Sequence, residues 1–410
     1  MKHGWNTDKS LLFHPDPCFV RVSSVAQSEL ARVVIAVLNV LQLIPTLDRS
    51  GAEKQMVLLA KGLPRDRFRV EVAALTRLGP LEGELVEAGV PVTSIAKRHK
   101  VDPLALGRLV RFLRAGRFDV VQTWIYAADT YGRVAARQAK VPVVVTAEMA
   151  VDLWKGRSER AVDRFLARWT DRVVGNSQAV VDFYRSVGIP PEKLAMIPSG
   201  IADDEPPPAV DPAGVRVELG LPPDAPLALF VGRLAEQKGV ADLLSALDLL
   251  QHVRPDLRTL IVGDGPLRGR LEATARAFRL VDSGRALFLG HRSDVPRLLA
   301  ACDVLVLPSL YEGLPNVVLE AMRFRKPVVA TAAPGTTEVV VADETGLLVP
   351  LRNPPALAQA IRRVVADPAL AHRLGKAGRT RVEAEFGVDR MIARFAELYE
   401  ALAREKGVTS

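Results

Sequence analysis

From Arg32 onward, short β-branched and aliphatic runs alternate with longer stretches whose apolar residues recur every three or four positions. A short apolar run bounded by turn residues suits a strand buried on both faces, and the longer spacing suits a helix with one buried stripe. In the first half the runs predict strands at residues 33–38, 69–74, 92–95, 120–123, 143–146, 172–175 and 194–197, with helices at 52–62, 103–115 and 160–170 among those between them. In the second half they predict strands at 227–231, 259–262, 286–289, 304–307, 328–330 and 346–349, and helices at 240–250, 266–278, 295–301, 315–323 and 354–366. Met391, Phe395, Leu398 and Leu402 space a last helix over 388–404. Strand alternating with helix is the pattern of a parallel sheet covered on both faces, so an α/β chain is expected.

The alternation is broken once. Residues 203–212 read DDEPPPAVDP, with four prolines and four acids, which neither continue a helix nor pair inside a sheet. The expected organisation is a loosely attached leader at 1–31, an N-terminal domain at 32–200, a linker at 201–212, a C-terminal domain at 213–387, and a closing helix at 388–410 that packs back toward the N-terminal domain. Two doubly wound domains in tandem, with a cleft between them, is the economical fold. The apolar stretch at 33–45 is broken by Asn39 and Gln42 and is too short to span a bilayer. The leader lacks the apolar core and small-residue cleavage site of a signal peptide.

Composition narrows the picture. Hydrophobic residues at 49% and charged residues at 25% are ordinary globular usage. Cys18 and Cys302 stand far apart, which argues against a disulfide scaffold or a zinc knuckle and suits a reducing, cytoplasmic compartment. Residues 1–198 carry 29 Lys and Arg against 20 Asp and Glu, whereas residues 199–410 carry 26 against 27, so the whole basic excess belongs to the first half. Such asymmetry suits an acidic polymer, an anionic membrane surface or a phosphorylated acceptor. With no arginine-rich tail, no Cys/His finger and only 5% aromatics, a nucleic-acid partner is not expected.

Ligands of open parallel sheets bind beyond the carboxyl ends of the strands. There the second half places Gly232 and Arg233, then Gly263 and Asp264, then Gly290 to Arg292, then Pro308 and Ser309 followed by Glu312 and Gly313, and finally Pro334 and Gly335. In VGRLAEQKG, residues 231–239, Lys238 falls at the amino end of the helix predicted from Val240. A cation there opposes the helix dipole, so an anion is expected beside it. Arg233, Lys238 and free helix amides would form a phosphate cradle, although two solvated basic side chains would read the same way. In YEGLPNVVLEAM, residues 311–322, Pro315 suits a first helical turn, leaving Glu312 in the loop and Glu320 among apolar neighbours. A buried Glu320 would need a hydrogen-bonding partner such as a ribose hydroxyl pair; a carboxylate on an exposed stripe is the alternative.

At these residues the chain resembles the retaining glycosyltransferases of family four (glycosyl transferases group 1), with two Rossmann-like domains in the GT-B arrangement, over residues 32–404. The blocks that carry the resemblance are VGRL followed by KG, IVGDGPL, FLGHRSDV and a Glu-x7-Glu motif from Glu312 to Glu320, with SGAE at Ser50 to Glu53 and IPSGI at Ile197 to Ile201. By that resemblance, Arg233 and Lys238 hold the donor diphosphate and Glu312 faces the donor sugar. Glu320 bonds the ribose, the backbone around Arg292 holds the base, and Gly263, Gly313 and Leu314 also line the donor site. The acceptor enters from the first domain near Gly51 and residues 122–129, where Ala127 stands in place of a histidine many members carry.

The expected reaction is transfer of a hexose from a nucleoside-diphosphate sugar to a glycan, lipid-linked or small-molecule acceptor. No cofactor and no metal ligands are expected, because no Asp-x-Asp loop presents itself and fixed cations must then stabilise the leaving group. A nucleotide-sugar epimerase, a phosphorylase and a non-catalytic nucleotide-sugar binder are the competing readings. Arg108, Arg111, Arg114 and Arg117, following Lys97, Arg98 and Lys100, suggest peripheral contact with an anionic membrane, a solvated basic face being the alternative.

Overall fold

The computed structural model describes residues 37–202 and 210–408. Seven strands, β1 (Leu38–Thr46), β2 (Phe68–Arg77), β3 (Val92–Ser94), β4 (Val120–Trp124), β5 (Val143–Glu148), β6 (Arg172–Gly175) and β7 (Leu194–Met196), form one sheet in the order β3-β2-β1-β4-β5-β6-β7. Six more, β8 (Leu227–Val231), β9 (Arg258–Val262), β10 (Ala286–Gly290), β11 (Val304–Leu307), β12 (Val328–Thr331) and β13 (Leu347–Val349), form a second sheet in the order β10-β9-β8-β11-β12-β13. Every pairing is parallel, and both sheets are doubly wound, as the alternation predicted.

Most expected strands lie within a residue or two of their observed bounds. The first does not. The run at 33–38 ends where β1 begins, and residues 33–36 lie outside the described residues, as does the 1–31 leader. The true strand passes through Asn39 and Gln42. Asn39 is only half-buried, and the buried Gln42 carboxamide is satisfied at both ends: Nε2 donates to Tyr399 Oη at 3.0 Å, and Oε1 accepts from Trp124 Nε1 at 2.7 Å.

The second lobe holds one continuous core. Helix Val240–Leu250 buries Leu243, Leu244, Leu247 and Leu250 against the sheet, each such leucine stabilising the fold by about 1.5–3 kcal/mol. Helix Pro368–Glu385 adds to those expected; Gly375 and Gly378 lie on its buried stripe, so its apolar period is weak in the sequence. The proline-rich stretch also ends differently than expected. Asp211 accepts from the Ala213 amide at 3.0 Å and Pro212 opens helix Pro212–Glu218, so the last two linker residues cap a helix.

The final helix, Val388–Glu405, packs on the first lobe through Met391, Phe395, Tyr399 and Leu402, with the Phe395 ring 6.2 Å from that of Trp124. Among the described residues the chain therefore crosses between lobes twice, and the crossings touch. Ile201 donates its amide to Phe386 O at 2.8 Å, and Val388 donates to Ile201 O at 3.0 Å. The Gln55 carboxamide brackets Gly200 beside them, donating to its carbonyl at 2.8 Å and accepting from its amide at 2.9 Å.

Candidate active site

Each sheet reverses its strand order once, between β1 and β4 in the first lobe and between β8 and β11 in the second, and a crevice opens at the carboxyl side of such a switch. In the second lobe the loop leaving β8 carries Gly232 and Arg233, and the loop leaving β11 carries Ser309, Glu312, Gly313 and Leu314. Residues distant in sequence meet here because the topology makes β8 and β11 neighbours.

Lys238 ends a single 3-10 turn, Glu236–Lys238, and Gly239 (φ +60°) turns the chain into helix Val240–Leu250. A Cβ at Gly239 would lie 2.0 Å from Pro308 O, so glycine is needed for the two loops to press together. Lys238 Nζ then donates to Glu312 Oε1 at 2.6 Å, and the Ser309 hydroxyl donates to the same oxygen at 2.6 Å. Their side chains are only 17% and 7% exposed, so neither charge is left to bulk water. The Lys238 stem passes over Gly232, next to Arg233. Arg233 itself is exposed, and its guanidinium has no partner among the described residues. The expected two-cation cradle is thus one ion pair and one unengaged cation.

Two expected positions differ. Glu320 is not buried among its apolar neighbours: helix Asn316–Arg323 buries Val318, Leu319, Ala321 and Met322, and position 320 falls beside that stripe. Its side chain, 21% exposed, lies 3.3 Å from Lys54 Nζ of the first lobe. The Arg292 side chain is engaged by Asp294 in a fork at 2.7 and 2.6 Å, which raises the guanidinium pKa and holds the carboxyl below its usual range. Gly263 lies at the end of β9, where its amide donates to Gly290 O at 2.8 Å. Leu314 is buried.

Gly51 opens helix Gly51–Gly62 at the end of the β1 loop and accepts at its carbonyl from Asn316 Nδ2 at 3.2 Å. The start of this helix and the start of helix Asn316–Arg323 therefore converge across the cleft. Ser50 donates its hydroxyl to the Glu53 carboxylate, and burial raises the Glu53 pKa against that bond. Gly313 also looks across the cleft: a Cβ on it would lie 2.2 Å from Met149 O and 2.7 Å from Asn176 Oδ1. Sequence reasoning assigned Gly313 to the donor alone; its tightest neighbours belong to the first lobe.

The stretch 122–129 is mostly interior. Gln122, Thr123, Trp124, Ala128 and Asp129 are buried, Ile125 and Tyr126 are half-buried, and Ala127 is exposed at the start of helix Ile125–Ala139. Ile125 takes φ +57°, a strained value for a β-branched residue, at the switch edge of the first sheet. Behind it lies a buried ionic cluster that no sequence motif signalled. Arg133 Nη2 donates to Asp163 Oδ1 at 2.8 Å, and Lys155 Nζ donates to Asp163 Oδ2 at 2.9 Å while lying 2.9 Å from Asp152 Oδ2. Burial, then mutual repulsion with neighbouring carboxylates, raises the pKa of Asp129 and Glu148, and the surrounding carboxylates raise that of Lys155 despite its burial. The arginine row on helix Pro103–Gly116 is also less free than expected: Arg108 donates to Ile95 O and Ala96 O, both at 2.8 Å, and Arg114 to Gln138 O at 2.9 Å.

Residues 215–381 match the family described as glycosyl transferases group 1, and residues 49–205 match glycosyltransferase family 4. The D-inositol 3-phosphate glycosyltransferase of Streptomyces bingchenggensis is 31% identical over 352 residues, covering 80% of this chain and 74% of that protein. The chain belongs to the group 1 glycosyltransferases. This glycosyltransferase is also 28% identical, over 87% of its length and 95% of the other's, to the Escherichia coli UDP-Gal:alpha-D-GlcNAc-diphosphoundecaprenol alpha-1,3-galactosyltransferase. Its fold superposes on the crystal structure of Anabaena HepE in complex with UDP-glucose with a TM-score of 0.77, at 25% identity, covering 89% of this chain and all of that one. Among the described residues no helix is long and apolar enough to cross a membrane.

Proposed function

We propose that this glycosyltransferase moves a hexose, with retention of configuration and without a metal ion, from a nucleoside-diphosphate sugar to a glycan, lipid-linked or small-molecule acceptor. The observation that carries the reading is the Lys238–Glu312 pair beside the unengaged Arg233 at the β8/β11 switch. Cleavage of the sugar–diphosphate bond develops negative charge on the leaving oxygens, and cations already fixed in the crevice stabilise it without reorganising. Arg233 meets the diphosphate, the amino ends of helices Gly51–Gly62 and Asn316–Arg323 add their dipoles, and Lys238 bridges the phosphates and Glu312. Glu312, acceptor-only when ionised, then takes hydrogen bonds from the sugar hydroxyls. Glu320 exchanges Lys54 for ribose hydroxyls, the backbone near Arg292 and Gly263 borders the base, and Leu314 closes the sugar end. The nucleotide sugar is a co-substrate, and no cofactor takes part.

Two of the similar proteins carry uridine diphosphate sugars in their names or titles, which makes UDP-glucose and UDP-galactose the first donors to try. Transfer to diphospholipid-linked or phosphorylated acceptors is expected to survive EDTA, with the anomeric configuration of the product read by NMR. An inverted product, strict metal dependence, or epimerised donor without transfer would overturn the reading. Peripheral contact with the cytoplasmic face of a membrane belongs to the same proposal. Val101 and Leu104, 78% and 76% exposed, stand next to Arg98, His99 and Lys100 on the basic lobe.

A further inference from the structure

Helix Gln178–Val187 of the first lobe leaves the amides of its first three residues, Gln178, Ala179 and Val180, without partners in its own turns. Its N-cap, Ser177, takes one of them: the Val180 amide donates to Ser177 Oγ at 3.3 Å. The other two are taken by the second lobe. The Gln178 amide donates to Glu338 Oε2 at 2.7 Å and the Ala179 amide to Glu338 Oε1 at 2.9 Å. One carboxylate thus completes the cap of a helix about 160 residues away, in the charge-assisted form that a helix amino end favours.

Glu338 is tied to the donor crevice at its other side. It follows the Pro334–Gly335 turn, where Pro334 O accepts from the Glu312 amide at 3.0 Å. Gly335 (φ +80°) admits the carbonyl of Gly313, which would lie 1.9 Å from a Cβ there. The turn is anchored from behind by Arg381, which donates to Glu338 O and Val339 O, both at 3.0 Å. Residues 334–338 therefore form a short strap that holds the Glu312 loop at one end and grips the first lobe at the other. Because the described chain passes between lobes at Ile201 and Gly387, which bridge each other, rotation about that point would part Glu338 from the helix.

We infer that Glu338 is a positioning residue for transfer: its carboxylate latches the two lobes shut and so brings the Glu312–Gly313 loop into register with the acceptor lobe. The inference rests on the reading of the β8/β11 crevice as the donor site, but its geometry can be tested without turnover. Without the latch the closed state loses two charge-assisted bonds, enough to lower the closed-to-open ratio by about tenfold. Nucleotide contacts made by the second lobe alone are left intact.

In the wild-type protein, hydrogen exchange is expected to find the Gln178 and Ala179 amides protected, where uncapped first-turn amides exchange freely. Glu338→Ala should release both amides and enlarge the radius of gyration in small-angle scattering, with Glu338→Gln intermediate. Calorimetry with UDP should give a Kd within about threefold of wild type, while UDP-glucose turnover falls about tenfold. Unprotected amides in the wild type, or unchanged scattering and turnover in a folded Glu338→Ala, would overturn the latch; so would a loss of UDP affinity as large as the loss of turnover. Should neither UDP nor UDP-glucose bind the wild type, the donor-site reading fails, and the amide and scattering results still decide whether the lobes are latched.

Discussion

The two lobes share a strand order through six strands and treat charge at the same sheet edge in opposite ways. Beyond β4 and β5 the first lobe buries three carboxylates, Asp129, Glu148 and Asp163, with the half-buried Asp152 beside them, around Arg133 and Lys155, whose side chain is fully inaccessible. Beyond β8 and β11 the second lobe holds one pair, Lys238 and Glu312, at the rim of an open crevice, and leaves Arg233 unengaged. The first arrangement pairs its two cations internally and leaves Asp129 Oδ2 buried without a hydrogen-bond partner among the described residues. The second is incomplete, and in the proposed function an anionic ligand completes it. The cluster lies one strand further along its sheet than the Lys238–Glu312 pair does along its own, since β8 and β11 correspond to β1 and β4, and the depth of burial separates the two arrangements.

The contrast can be broken most forcefully at Lys155. Lys155→Met strands Asp163 and its neighbours in the interior and is expected to cost about 3–5 kcal/mol of unfolding free energy in urea titration. A loss below about 1 kcal/mol would mean the cluster is not structural. At the other edge the effects should exchange. Arg233→Ala or Lys238→Ala is expected to lower turnover by about a hundred- to a thousandfold, or about 3–4 kcal/mol of transition-state stabilisation. Stability should scarcely move for Arg233, which is exposed. Near-normal turnover in either variant would remove the proposed mechanism. The smallest effect belongs to the difference in net charge. Binding to anionic liposomes is expected to weaken several-fold in Val101→Ser/Leu104→Ser and to fade as salt is raised; salt-insensitive or absent binding of the wild type ends the membrane proposal.

Several parts of this molecule were legible in advance for a plain reason. Strands buried on both faces must be apolar throughout, so β4, β8 and β11 announce themselves, and β8 and β11 were placed to the residue. Lys238 could be read as a cation facing an anion because a helix dipole disfavours it otherwise. That its anion in this state is Glu312, 74 residues on, was not legible, since no local rule links the loops. Glu320 was misplaced because an apolar run says nothing about which side of a short helix meets the other lobe. The strand at 33–38 was misplaced because Asn39 and Gln42 look like breakers until Asn39 is seen to be half-buried and Gln42 to be bonded by Trp124 and Tyr399.

Period and punctuation along the chain determined the fold class, the two-lobed division and the strand ends that border the proposed site, because these follow from burial and backbone geometry within a few residues. Tertiary structure alone decided the pairings: Lys238 with Glu312, Lys54 with Glu320, Glu338 with helix Gln178–Val187, and the charges sealed around Lys155. A charge is indifferent to sequence distance and acts over a few ångströms, so its partner is known only once the chain has brought the two together.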